Sequence, residues 1–153
     1  MEKLNQLPKQ YEEKKDHSLS NELSVLYNEL QHSGKSAKQT VTLIKNWLIQ
    51  NEKQEGALTT LKAHTDCGQC FWLTGFFYES GIETETDLGQ AVQWYQQSAE
   101  AGNTTAQVNL GNCYFNGTGV EKNIQKAVEL YQKAAEQGHA KAQSALKRRN
   151  KVD

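Results

Sequence analysis

Proline occurs once in the 153 residues, at Pro8, and methionine once, at the start. So little proline excludes a loop-rich or all-β protein, whose many turns draw on it. Arginine is confined to Arg148 and Arg149, and 17 basic against 18 acidic residues leave a net charge of −1. No broad cationic face for a nucleic acid can be assembled from that balance. No apolar run approaches the ~18 residues that a membrane span requires. The opening Met1-Glu2-Lys3-Leu4-Asn5-Gln6 offers no apolar stretch for a secretory signal. Cysteines number three, Cys67, Cys70 and Cys113, and an odd set does not suit a paired disulfide scaffold. The chain therefore reads as cytoplasmic with reduced thiols. The sequons at Asn103-Thr104-Thr105 and Asn116-Gly117-Thr118 read as chance in that compartment. Apolar residues make up 37%, or about 44% once the 11 glycines are added, just under the usual ~45–50%. The length suits one domain with a thin core.

What the chain does have is an internal period. Gly75, Tyr78, Gly81, Ala91, Tyr95, Ala99 and Gly102 recur, each 36 residues on, as Gly111, Tyr114, Gly117, Ala127, Tyr131, Ala135 and Gly138. A third copy starts at Ala142-Gln143 and stops before its second half. Each copy reads as two antiparallel helices. In the second, Asn103 or Thr104 caps a helix running to about Tyr114, with Gln107 as capping-box partner of Thr104. Glycine at Gly117 and Gly119 ends it. Asn123 caps the next helix, where Ala127, Leu130, Tyr131, Ala134 and Ala135 form one apolar stripe, and Gly138 stops it. In the first copy Asp87 is the cap, and Ala91, Trp94, Tyr95, Ser98 and Ala99 form the stripe. Glycine inside a helix, at Gly75 and Gly111, costs ~1 kcal/mol relative to alanine; close approach of the partner helix is the expected return. Tyr78, Tyr95, Tyr114 and Tyr131 are expected to fill the space between successive helix pairs. Stacked pairs can bury what a single pair cannot.

The segment Ala106-Gln107-Val108-Asn109-Leu110-Gly111 through Tyr114, then Gly117-Thr118-Gly119-Val120, Lys126-Ala127 and Tyr131-Gln132-Lys133-Ala134-Ala135-Glu136-Gln137-Gly138 resembles the Sel-1-like repeat family, a relative of the tetratricopeptide repeat. The first copy departs from the pattern where Glu83 and Thr84 replace Gly119 and Val120, so its turn is expected to differ. The resemblance covers about residues 68–147. It implies an all-α fold: an α-solenoid of about two full repeats plus a terminal half repeat, acting as a scaffold or adaptor without shared catalytic residues.

Ahead of the array, residues 1–17 are charged and read as a flexible or frayed helical tail. Residues 18–66 read as a helix pair and linker. Leu19, Leu23, Leu26 and Leu30 mark the first helix, and Val41, Ile44, Trp47 and Leu48 mark a second that opens with a Ser36/Gln39 capping box. Glu55 to Asp66 is a short linker or helical turn. The pair is expected to dock on the open N-terminal end of the array at 67–149, and 150–153 form a tail. The order of Ile44-Lys45-Asn46-Trp47-Leu48, Phe71 through Tyr78 and Gly81-Ile82-Glu83-Thr84 is also similar to fungal kinase-associated proteins with Sel-like repeats. No kinase motif accompanies it.

Several constellations invite chemistry. Cys67-Gly68-Gln69-Cys70 is a Cys-x-x-Cys at an expected helix N-terminus, where the dipole favours a thiolate. His64 lies three residues before Cys67, a zinc half-site, but a closed site needs four ligands and Cys113 is the one further thiol. Incidental or buried cysteines are the simpler reading. Gly34-Lys35-Ser36 lacks the preceding glycine and strand of a phosphate loop and reads as a helix linker. Ser144-Ala145-Leu146-Lys147 matches a β-lactamase motif, an activity linked to some Sel-like proteins, but its companion motifs are absent. Trp47, Trp72 and Trp94 sit on apolar stripes and read as core. The basic end at Lys147–Lys151 complements a helix dipole.

The surface expected to function is the inner groove, which the resemblance assigns to the first helix of each repeat. Asn109, Asn112 and Asn116 form a polar stripe there; the 36-residue offset adds Leu73, Phe76 and Ser80 in the first repeat and Ala145 and Arg148 in the third. Amides suit a peptide backbone and Leu73 with Phe76 an apolar pocket. The expectation is therefore a non-enzymatic chain that binds a protein or peptide through Leu73, Phe76, Asn109, Asn112, Asn116 and Arg148, with no cofactor, metal, nucleic acid or membrane. A thiol-redox or zinc-binding protein built on Cys67 and Cys70 is the alternative.

Overall fold

The helix starts in the array are set by side chains that accept a hydrogen bond from the first turn. Cys67, Asp87, Asn103 and Asn123 each take the backbone N–H three residues on, satisfying a donor that the helix itself leaves open. The computed structural model describes residues 17–53, 56–64 and 67–152, and these contain α1 (Ser18–His32), α2 (Ala37–Gln50), α3 (Ala57–Ala63), α4 (Gly68–Ser80), α5 (Leu88–Glu100), α6 (Thr104–Asn116), α7 (Ile124–Glu136) and α8 (Ala140–Val152). The expected tail at 1–17 falls, apart from His17, outside the described residues. Helices α4–α5 and α6–α7 are the two full pairs, and α8 packs on α7 as the terminal half. The fold is the all-α solenoid that the period predicts.

Within each pair a glycine faces a tyrosine. A Cβ at Gly75 would stand 2.7 Å from the Tyr95 ring, and one at Gly111 the same distance from Tyr131. The tyrosines at 95 and 131 therefore lie within a pair, not between successive pairs as the sequence suggested. Tyr95 is fully buried and Tyr131 nearly so. Tyr78 and Tyr114 are half-buried, and their carbonyls accept the N–H of the cap residues Asp87 and Asn123 at 2.9 and 2.8 Å.

Two capping expectations divide. Ser36 and Gln39 form the full capping box, with bonds of 3.2 and 3.0 Å. Gln107 does not: Asn103 is the cap, and Gln107 is buried, its Nε2 donating to the Ala99 carbonyl at 3.3 Å. Gln143 makes the same bond to Ala135 one repeat later, at 3.2 Å. Its amide ties one repeat to the helix before it, which outweighs closing a cap that Asn103 already supplies.

The turn with Glu83 also corrects the sequence reading. Glu83 takes φ +59°, in the same left-handed region as Gly119 at +69°, so the two turns match. Glycine is required at 119 because a Cβ there would lie 2.4 Å from the Leu88 carbonyl oxygen. At 83 the side chain instead reaches α3, where its two oxygens accept the N–H groups of Gly56 and Leu58 at 3.0 and 2.9 Å. A carboxylate on a helix N-terminus offsets the left-handed cost of ~1–2 kcal/mol.

The segment read as a linker or turn is thus a capped helix, and it is core: Ala57 and Leu61 are buried. It also changes how the N-terminal region docks. Helix α4 is packed by α1 and α3, while α2 rests chiefly on α1. One apolar cluster runs from Leu19 to Cys113 across α1–α6, and a smaller one joins Val108 to α7 and α8. Trp72 belongs to the core; Trp47 is half-buried at its edge, and half-buried Trp94 lies against Phe71.

Gly111→Ala should destabilise by ~1–3 kcal/mol through overpacking on Tyr131, despite alanine's better helix propensity. Glu83→Ala should cost ~1–2 kcal/mol by uncapping α3. Urea unfolding midpoints read both, and an unchanged midpoint for either variant contradicts its assigned role.

Candidate functional site

The first helices of the repeats, α4, α6 and α8, line one side of a cavity of about 840 Å³, and α1 with the start of α2 lines the other. No residue of α5 or α7 reaches it. Its floor is aromatic. Tyr27 of α1 stands edge-on to Trp72 and Phe76 of α4, with ring centroids 4.7 and 5.5 Å apart. Its walls are polar, with Asn28 and Gln31 from α1, Lys38 from α2, Glu79 from α4, Asn109 and Asn112 from α6, and His139 and Lys141 at the start of α8. Gln31 and Lys141 hydrogen-bond across the opening. The volume falls in the range of cavities that hold small ligands, ~300–1,000 Å³.

The sequence-predicted groove is brought together in part. Phe76, Ser80, Asn109 and Asn112 all line the cavity. Leu73 does not: it is only 1% exposed, because α1 and α3 cover the side of α4 that stays open on α6. Asn116 and Arg148 are exposed but lie off the cavity, Asn116 at the end of α6. Asn112 has a structural duty, since its Oδ1 accepts the Tyr131 hydroxyl at 2.5 Å. Its Nδ2 is left to donate. One repeat earlier the same position is Phe76, and the Tyr95 hydroxyl donates instead to Glu79, one turn on.

That carboxylate shapes the local electrostatics. Burial, reinforced by Glu79, pushes the Tyr27 hydroxyl up to about 12, and the same causes hold Tyr95 well above its usual range. Both remain neutral donors at physiological pH. On the repeat side, at the start of α8, His139 is shifted down, chiefly by burial and then by Lys141, and its Nδ1 is buried without a hydrogen-bond partner.

Tyr27, Lys38, Glu79, His139 and Lys141 were missed by sequence reasoning. Those on α1 and α2 lie outside the repeat, so no period points to them, and Glu79 is matched one repeat later by Phe115.

The Gly34-Lys35-Ser36 and Ser144-to-Lys147 motifs fall as helix linker and terminal helix. Gly34 takes φ +73° between α1 and α2, and Ser36 is a cap. Ser144 and Lys147 are exposed on α8. Cys113 is buried, and burial with Glu79 pushes its thiol up to about 12, an inert setting. It does not join Cys67 and Cys70, which gather His17 instead.

The Sel1 repeat family model matches residues 72–103 and 104–139, the two full helix pairs. A sel1-like repeat-containing protein of Acanthamoeba polyphaga mimivirus is 50% identical over 42 residues, covering 28% of this chain and 8% of that protein. The crystal structure of a Sel1 repeat protein from Oxalobacter formigenes superposes with a TM-score of 0.57 at 39% identity, over 69% of this chain and 43% of that one. A protective antigen of uropathogenic Escherichia coli with an SLR fold is similar in fold, with a TM-score of 0.55 at 24% identity over 91% of this chain and 34% of that one. The chain spans less than half the length of each of these relatives. Among the described residues no helix is long and apolar enough to cross a membrane.

Because the folded pKa of His139 lies below the unfolded value of ~6.5, the unfolded state binds more protons in that window and stability falls as pH drops through it. His139→Gln should flatten this acid slope; parallel urea titrations of both proteins between pH 5 and 8 measure it, and identical slopes contradict the assignment.

Proposed function

We propose, from the premise that residues 72–139 of this chain are Sel1 repeats, that it is a non-enzymatic cytoplasmic scaffold holding a peptide segment of a protein partner in the cavity between α1–α2 and α4, α6, α8. Sel1 repeat proteins are generally protein-interaction scaffolds. One observation carries the reading further: the repeats' inner helices and the non-repeat α1–α2 together enclose a single cavity with an aromatic floor and amide walls. An extended peptide presents alternating carbonyls and N–H groups, which Asn28, Asn109 and the Nδ2 of Asn112 can meet. Phe76 and Tyr27 offer apolar surface to one side chain. Lys38 and Lys141 against Glu79 give the rim mixed charge, so the partner is selected by hydrogen bonding and shape more than by net charge.

Phe76 is in the core cluster, so exposed or half-buried wall positions make the better probes. Peptides selected from a random display library against the full chain should lose about tenfold or more in affinity, some 1.4 kcal/mol, on Asn28→Arg or Asn109→Arg. Gln132→Arg, on the exposed side of α7, should leave them unchanged. Fluorescence anisotropy reads each Kd. Selection of no binder, or of binders that tolerate both wall substitutions, overturns the reading.

A further inference from the structure

The starts of α1 and α4 bring three metal-ligating side chains to one point, and the end of α3 lies beside it. Cys67 is the N-cap of α4, and its Sγ accepts the Cys70 N–H at 3.3 Å, which curls the Cys-x-x-Cys so that both sulfurs turn the same way. Cys70 is fully buried, and its Sγ lies 3.9 Å from His17 Nδ1. One ligand atom from each of His17, Cys67 and Cys70 falls within 4.8 Å of the other two. His17 is itself anchored: its carbonyl accepts the Asn21 N–H at 3.0 Å and the Ser20 hydroxyl at 2.9 Å. The fourth group is His64, the C-cap of α3, whose ring lies 4.7 Å from that of His17 and is tilted at 48° to it.

We propose that His17, His64, Cys67 and Cys70 form a structural zinc site that fastens the start of α1 and the end of α3 to the N-terminus of the repeat array. Two thiolates and two imidazoles are a donor set that selects zinc over magnesium or calcium. Bonds of ~2.3 Å to sulfur and ~2.0–2.1 Å to nitrogen place tetrahedral ligand atoms about 3.3–3.8 Å apart. The observed sulfur–nitrogen separation of 3.9 Å is within a few tenths of an ångström of that edge. His64 completes the tetrahedron by a rotation of its ring. On binding, zinc displaces the two thiol protons to solvent; no electron is transferred. The ligands come from positions 17, 64, 67 and 70, so the ion closes a loop of about fifty residues and joins elements otherwise held by packing and a few hydrogen bonds, such as that from Gln69 Nε2 to the Ser20 carbonyl at 2.6 Å.

The test uses the full chain, purified under reducing conditions, stripped with a chelator and titrated with zinc alone or with cobalt(II) as a spectroscopic probe. One zinc per chain should bind, and the cobalt form should show thiolate-to-metal charge transfer with the visible bands of a tetrahedral ion. Cys67→Ser keeps an N-cap acceptor, so helix α4 should survive while zinc affinity falls about a hundredfold or more, beyond the ~10–100-fold typical of an outer-shell loss. His64→Asn should weaken zinc and change the cobalt bands; Cys113→Ser should do neither. Chelator should lower the melting temperature of the parent chain and not that of Cys67→Ser. Failure of the folded chain to take up zinc overturns the proposal. So does zinc binding that Cys67→Ser and His64→Asn leave intact, or a Cys67–Cys70 disulfide forming in air with equal ease whether or not zinc is present.

Discussion

The contact on which the array depends is a tyrosine ring laid on a helix backbone where a glycine leaves room for it. At Gly75 and Gly111 a single added carbon would collide with Tyr95 or Tyr131, so the spacing of α4 from α5 and of α6 from α7 is fixed by the thickness of an aromatic ring. One ring of this size replaces several aliphatic side chains, which is why a chain with 37% apolar residues still closes a core. Burying the hydroxyl at the far end without a partner would cost ~1–3 kcal/mol. Each ring therefore drags a polar acceptor to the inner face of the pair, Glu79 for Tyr95 and Asn112 for Tyr131. Packing inside the pair thus dictates part of the chemistry of the groove.

This constraint also changes the meaning of the asparagine stripe on α6. Asn112 and Phe76 occupy equivalent positions and reach opposite solutions. Where asparagine is present it serves the tyrosine directly; where phenylalanine is present the acceptor moves one turn along the helix to Glu79. Asn109 has no such duty and faces the cavity. A polar stripe read from spacing alone merges these two kinds of residue. Only the position of the tyrosine hydroxyl separates them.

What was legible in the sequence follows the range of the interactions involved. Helix starts depend on a cap and its third neighbour, and the array on a 36-residue offset, so both could be read. Asn109 and Asn112 were reached through their spacing on one helix face, and Phe76 through that offset. Leu73 fails because its repeat-mate Asn109 is flanked differently: α1 and α3 cover α4 on a side where α6 has none, and those helices carry no repeat. The bond from Gln31 to Lys141 spans 110 residues, and nothing local announces it. Glu83 fails for a subtler reason. Replacing glycine normally argues for a different backbone, yet here a carboxylate capping α3 offsets the left-handed cost, so the turn is kept. Local sequence carries the cost, and the compensation lies 25 residues away in Leu58.

The groove and the core are then not separate parts of the molecule. Tyr27 stands edge-on to both Trp72 and Phe76, a directional arrangement of aromatic rings, and this contact, with the Gln69 bond to the Ser20 carbonyl and buried Leu19 and Leu23, holds α1 along the array. The same Tyr27 and Phe76 form the cavity floor. Anything that fills the cavity touches both walls only while α1 is docked, so occupancy and docking are linked: a ligand of the docked form stabilises it by mass action. Conversely, whatever holds the start of α1 against α4 fixes the width of the cavity at its other end. The repeat supplies one wall by its period, but the site exists because a non-repeat helix is held across it.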